Sequence, residues 1–342
     1  MTDTLTAVIL GVVEGITEFL PISSTGHLLI AEQWLPRQTE LFNVVIQAGA
    51  VLAVIPLFHK RFHQFIFNWA DPKVRDYFLK IVAAFVLTGI GGLIIKKKHI
   101  QILPTTLTPV AVALLVGGIL FLLVETLLAK KKDERSDESD LSQVTWTIAV
   151  AVGIGQLIAA LFPGASRSGT TIILSLILGL GRPLATEYSF LVSIPTMLAA
   201  SAKEIYDSFH HHTVDAAQEN WTMVIIASIV AAVVSFIAVK WLLRFVQTHT
   251  FIGFGWYRVL AGGALLIALH FGYIKEKDDV KNNSATAPAT SPLPPAAFLS
   301  SPHSQVFDPS PISPPQNTST ADAQSTARSR CCPATWRSFP SV

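Results

Sequence analysis

Six stretches of this 342-residue chain run for roughly twenty residues with few charges, over 41–58, 76–95, 107–129, 184–202, 221–243 and 251–273. A helix of about 20 apolar residues crosses the hydrocarbon core of a bilayer, so that repetition leaves little room for a water-soluble fold. Composition agrees: 51% of residues are hydrophobic and 14% charged, against about 25% charged in soluble domains, and the mean hydropathy is +0.49. A net charge of +2 supplies no basic surface and excludes a charge-driven nucleic-acid binder. The only cysteines are Cys331 and Cys332, so the apolar body has no disulfide, thiolate metal site or cysteine nucleophile. The first apolar stretch carries Glu14 and Glu18 and lacks a basic leader region, which does not fit a cleavable signal peptide.

Two further apolar stretches, about 4–35 and 144–181, are each broken midway by a polar loop. The first loop is Pro21-Ile22-Ser23-Ser24-Thr25-Gly26 and the second Pro163-Gly164-Ala165-Ser166-Arg167-Ser168-Gly169. Irregular backbone cannot face lipid, so both loops must be buried in protein or line a wet cavity, as re-entrant helix-loop-helix elements. An offset of 142 residues superimposes Gly11 on Gly153, Ile16 on Ile158, Pro21 on Pro163, Ser24 on Ser166 and Ile30 on Ile172, and sets Glu14 against Gln156. Each half then reads as one re-entrant element and three spans, and an odd number of spans inverts the second half. The expected fold is an all-α integral membrane protein of six transmembrane helices plus two re-entrant elements in an inverted-topology repeat. Residues 1–280 form the membrane-embedded domain, with repeats 1–140 and 141–280. Eleven of the 20 prolines fall in 285–342, and the Pro/Ser/Thr/Ala-rich segment 281–342 is expected to be disordered. Connectors 59–76 and 130–143 with Arg182 and Arg244 carry ten Lys/Arg against seven on the other side, which favours the first side as cytoplasmic.

Glu14 and Glu18 lie four apart on an apolar helix and point from one face. Two carboxylates inside a membrane segment are costly and by default functional; such a pair shares a proton or is neutralised by a divalent cation. Ser23 or Ser24 caps the next short helix, and Ser24 shares a face with His27, a spacing that suits a nucleophile and its base. In the second loop, Arg167 stands between Ser166 and Ser168 at the start of another half-helix that includes Thr171. Exposed N–H groups, a positive helix end and a guanidinium fork together suit a phosphate. The plainer alternative is an ion pair of Arg167 with Glu14 or Glu18, which would also bring the loops together. Glu125 and Arg258 lie in or near spans, as ligand-side charges or an inter-helix pair.

The segments Glu14-Gly-Ile-Thr-Glu18-Phe-Leu-Pro21-Ile-Ser-Ser24-Thr-Gly-His27 and Pro163-Gly-Ala-Ser-Arg167-Ser-Gly-Thr-Thr171 resemble the signature motifs of the BacA/UppP-type undecaprenyl-diphosphate phosphatases, the bacitracin-resistance family. The resemblance spans residues 1 to about 274. It implies hydrolysis of undecaprenyl diphosphate to the monophosphate in the bacterial inner membrane, recycling the lipid carrier of peptidoglycan synthesis, with a divalent cation (Mg or Ca) on Glu14 and Glu18. Catalytic roles fall on Glu14, Glu18, Ser24, His27 and Arg167, and phosphate contacts on Ser23, Thr25, Gly26, Ser166, Arg167, Ser168 and Thr171. Ser24 with His27, or a water activated by Glu18, would attack the terminal phosphorus. The expected partners are the polyprenyl diphosphate and membrane lipid, with no nucleic acid; a homodimer is left open. The rival reading is a polyprenyl-phosphate transporter, which the repeat plan alone would suit.

Overall fold

A computed structural model of the protein describes residues 2–98, 106–129, 140–210 and 220–274. The segment 281–342 and the basic run 130–135 lie outside the described residues. Among the described residues every regular element is a helix. In chain order these are α1 (Asp3–Thr17), α2 (Ser24–Ala31), α3 (Glu40–Val54), α4 (His59–Phe67), α5 (Pro72–Lys97) and α6 (Leu107–Ala129). The second half supplies α7 (Trp146–Leu161), α8 (Arg167–Ile177), α9 (Arg182–His210), α10 (Trp221–Thr248) and α11 (Ile252–His270).

Five helical stretches are long and apolar enough to cross a membrane: Glu40–Phe67, Pro72–Lys97, Leu107–Leu128, Trp221–Thr248 and Ile252–His270. The first joins α3 to α4 through a 3₁₀ segment, Ile55–Phe58, where Pro56 removes an amide donor and tightens the turn. His59-Lys60-Arg61, expected as a connector, is therefore helical. The sixth expected span lies within α9, which has the length but not the apolar composition. Its Thr186, Ser189 and Ser193 are buried, because α9 packs against α3, α5, α8 and α10 at the centre of the bundle, where polar side chains meet protein.

The outer helices show the reverse pattern. On α10, Ile225, Ile229, Val233 and Ile237, spaced by four, are all more than half exposed, whereas Ala227, Ala231, Ser235 and Val239 on the opposite face are fully buried. An exposed aliphatic stripe of that length on several helices needs lipid to cover it, so the chain is a multi-pass membrane protein.

The two interrupted stretches are seated by close helix packing. The first half-helix, α1, lies along α10, and the corresponding α7 lies along α5. A Cβ on Gly15 would stand 2.7 Å from the Ala231 carbonyl oxygen, so only glycine allows that approach. α6 and α11 pair with one another and close the bundle beside both loops.

Candidate active site

Both loops reach their short helices through the same local device. Ser23 caps α2 with φ 75° and ψ 99°, and its Oγ accepts the Gly26 N–H at 3.3 Å. Ser166 caps α8 with φ 64° and ψ 112°, and its Oγ accepts the Gly169 N–H at 3.2 Å. These are the only non-glycine residues with positive φ among the described residues; such strain persists only where the surroundings hold it, and it gathers at functional sites. The caps differ by 143 residues, so the register is one residue longer here than the 142 of the preceding helices. The extra residue lies between Pro163 and Ser166, where Gly164 takes φ +92°. Ser23, rather than Ser24, therefore corresponds to Ser166, and Ser24 corresponds to Arg167.

That correspondence places a hydroxyl and a guanidinium at the first turn of the two facing half-helices, with one carboxylate between them. Glu18 caps the C-terminus of α1, its N–H donating to the Glu14 carbonyl at 3.0 Å. Ser24 Oγ donates to Glu18 Oε2 at 2.5 Å, and Arg167 Nη2 pairs with Glu18 Oε1. The ion pair anticipated as an alternative is thus present, and it joins the loops without removing Arg167 from solvent: its side chain keeps 24% exposure. Glu18, Ser23, Ser24, Thr25, Ser166 and Arg167 line one end of a cavity of about 620 Å³. Its walls are α5 and α7, with Gln47 of α3 and the Thr196–Lys203 face of α9.

Glu14 lies under this floor, fully buried. Neither of its carboxylate oxygens has a hydrogen-bond partner among the described residues, and Glu18 and Arg167 are its charged neighbours. Gln156, the residue set against Glu14 by the 142 offset, donates from Nε2 to Thr88 Oγ1 at 3.0 Å and lines the cavity.

The expected contact between Ser24 and His27 is not formed. His27 Nδ1 donates to its own turn, at the Ser23 carbonyl (2.7 Å), and Nε2 meets the Tyr257 hydroxyl at 2.6 Å, with the two rings stacked. Being the first residue of α2, Ser24 faces back across the loop to Glu18, while His27 three residues on faces α11. Ser168, Thr171 and Gly26 hold the scaffold rather than the cavity wall. Ser168 Oγ donates to the Leu20 carbonyl at 3.2 Å, fastening one loop to the other. Thr171 Oγ1 bonds the Arg167 carbonyl and accepts from Ser189. Gly26 packs against Val110 and Leu114 of α6.

Arg258, left undecided by sequence, is fully buried and has no acid partner among the described residues. Its guanidinium donates to the carbonyls of Pro21 (3.2 Å) in the first loop, Gly164 (3.4 Å) and Ala165 (3.1 Å) in the second, and Ala113 (3.1 Å) and Leu114 (3.4 Å) of α6. Space for it comes from Gly117, where a Cβ would stand 2.1 Å from Nη2. An arginine inside a span opposite a Gly-Gly pair was the signal available for this role. Glu125 is an inter-helix pair, bonded by Arg182 Nε at 2.9 Å and by the Phe251 N–H at 3.0 Å. Lys96 and Lys203 also line the cavity; in the sequence they read only as charges flanking apolar stretches.

An acid, a hydroxyl and a guanidinium gathered inside a bundle of apolar helices define a multi-pass membrane protein with a site for an anionic group. The chain belongs to the bacitracin resistance protein BacA family, whose pattern it matches over residues 7–264. It is 48% identical over 265 residues to an undecaprenyl-diphosphatase of Rhizobium etli, covering 77% of this chain and 96% of that protein. Enzymes of the same name from Xanthomonas euvesicatoria (46% over 270 residues, 79% and 98%) and Xylella fastidiosa (45% over 267 residues, 78% and 98%) are similar over the same region.

Proposed function

We propose that the protein is an undecaprenyl-diphosphate phosphatase of the bacterial inner membrane: it hydrolyses the lipid diphosphate to undecaprenyl phosphate and inorganic phosphate, and so confers bacitracin resistance and returns the carrier to peptidoglycan synthesis. The observation that carries the mechanism is the hydrogen bond from Ser24 Oγ to Glu18, with Arg167 on the other oxygen of the same carboxylate. A hydroxyl donating to a carboxylate is a nucleophile paired with its base. In the first step Ser24 Oγ bonds to the terminal phosphorus in line and its proton passes to Glu18, the bridging P–O bond breaks, and Glu18 gives that proton up to the departing undecaprenyl phosphate. Water then attacks the phosphoserine and gives its proton to Glu18, which returns it to Ser24 Oγ as the Ser24 O–P bond breaks and inorganic phosphate leaves. Arg167 orients the transferred group, and the N–H groups of the first turns of α2 and α8 add positive potential at the same place. His27 supports the α2 turn and its tie to α11.

Glu14 and Glu18 fit a divalent cation. Glu14 offers two buried oxygens without a donor beside a second carboxylate, and no cluster of three or more metal-ligating side chains occurs among the described residues. Glu14 and Glu18 would hold such a cation, and it would supply positive charge to the phosphate transfer.

The finer architecture belongs to the same reading. Six spans, with α9 as the sixth, and two re-entrant elements form an inverted repeat within 1–280. The matched serine caps support it, as does the exchanged packing, α1 on α10 and α7 on α5. The test is phosphate release from undecaprenyl diphosphate by detergent-purified protein, with and without EDTA, beside Glu18→Ala and with phosphatidic acid as competitor. Release abolished by both EDTA and Glu18→Ala is the expected result. No release from folded protein overturns the reading.

A further inference from the structure

Charge on the cavity wall is unevenly placed. Four charged residues line it: Glu18, Arg167, Lys96 and Lys203. At the floor Arg167 is paired with Glu18, and Glu14 is buried nearby, so these three side chains by themselves carry no net positive charge, and any excess there would have to come from a bound cation. Two further positive charges, Lys96 and Lys203, stand on the walls. α5 faces the cavity with Thr88, Gly89, Gly92, Leu93 and Lys96, and α9 with Thr196, Ala199, Ala200 and Lys203. Lys96 and Lys203 are the last residues of α5 and α9 that line the cavity. The other polar residues of the walls, Gln47, Thr88, Gln156 and Thr196, are uncharged, so besides Arg167 the two lysines are the cationic groups that a headgroup meets in the cavity.

The two lysines are also tied to each other. Asp207, one turn beyond Lys203, forms an ion pair with Lys203, and Lys96 Nζ lies 3.8 Å from the same carboxylate. One acid thus bridges α5 and α9 beside the cavity. All three side chains keep contact with solvent, at 71% for Lys96, 45% for Lys203 and 30% for Asp207. Exposed pairs of this kind contribute little to stability, so an incoming anion can replace the carboxylate at small cost.

We propose that Lys96 and Lys203 are the capture and selectivity pair of this site: they bind the lipid-proximal phosphate while the terminal one reaches Arg167 and Ser24, and Asp207 is their intramolecular competitor. The inference rests on the phosphatase reading of the cavity. It assigns preference for a diphosphate over a monophosphate to the far wall, because only a headgroup with two phosphates engages floor and lysines together.

The experiment compares wild type, Lys96→Gln/Lys203→Gln, Asp207→Asn and, as a control at the other end of α5, Lys73→Ala. Turnover of undecaprenyl diphosphate is measured across a salt series, together with direct binding of a non-hydrolysable methylenediphosphonate lipid and of the matching monophosphonate. The double lysine variant is expected to raise KM about tenfold with kcat changed less than about twofold, since the pair binds ground and transition states alike. It should also flatten the salt dependence and reduce the diphosphonate-to-monophosphonate affinity ratio about tenfold. Asp207→Asn should lower KM about threefold, and Lys73→Ala should match wild type. An unchanged affinity ratio in the folded double variant overturns the proposal, and so does a loss in kcat with KM unmoved. If wild type binds the diphosphonate but releases no phosphate, the hydrolytic reading fails by itself and the affinity ratio still decides the role of the lysines.

Discussion

The two interrupted stretches share a backbone and differ in chemistry. Each turns through a serine with positive φ, caps a short helix with that serine's Oγ, and places the next residue at the first helical position. In the first stretch that residue is Ser24 and the preceding half-helix brings Glu14 and Glu18; in the second it is Arg167, and the preceding half-helix brings Gln156. In the proposed mechanism the first copy supplies proton transfer and the attacking oxygen, and the second supplies the guanidinium. The comparison teaches that the strained cap is the conserved scaffold between the halves, while the position after it decides what each contributes.

Glu18→Gln should break this division of labour most severely, because that carboxylate receives both the Ser24 hydroxyl and the Arg167 guanidinium. Phosphate release should fall by about 10³-fold or more, the usual scale of a lost general base. Arg167→Lys tests the second half alone: it keeps the charge but loses the fork, and kcat/KM should drop about 100-fold with KM raised. A fall in kcat/KM below threefold would show that charge, and not the planar fork, is what the second loop contributes. The shared scaffold is sharpened by Ser23→Ala and Ser166→Ala, each of which loses a cap bond and keeps a side chain at positive φ. Both should destabilise by about 1–2 kcal/mol, and the glycine variants by less, in thermal unfolding in detergent. Smallest is Tyr257→Phe, which removes only the hydroxyl on His27 Nε2. It should reduce turnover a few-fold, and its effect should vanish in a His27→Asn background if the two residues act through that one bond.

Much of this was legible in the sequence for one physical reason: lipid forbids unsatisfied backbone, so apolar length announces helices and a polar Pro/Gly loop within such a stretch announces a buried turn. The same rule explains why α9 reads poorly. Its neighbours shield it, so Thr186, Ser189 and Ser193 carry no penalty, and hydropathy no longer reports its place. Glu18 and Arg167 could be selected from charge alone, but not the partner of Ser24. Ser24 and His27 do lie three apart within α2, but spacing along one helix does not reveal the partners that other elements bring: Glu18 of α1 for Ser24, and Tyr257 of α11 for His27. The one-residue difference between the loops, absorbed at Gly164, is likewise invisible to a fixed offset.

Arg258 bears on how the protein is made. Both loops hang on a guanidinium from the last described helix, α11, which follows Glu18 by some 240 residues and Arg167 by some 90. A ribosome has therefore released Glu18, Ser24 and Arg167 into the bilayer well before the group that fastens their loops has been translated. Nascent chains carry these side chains without the tie between their loops, which forms only when α11 inserts beside α6.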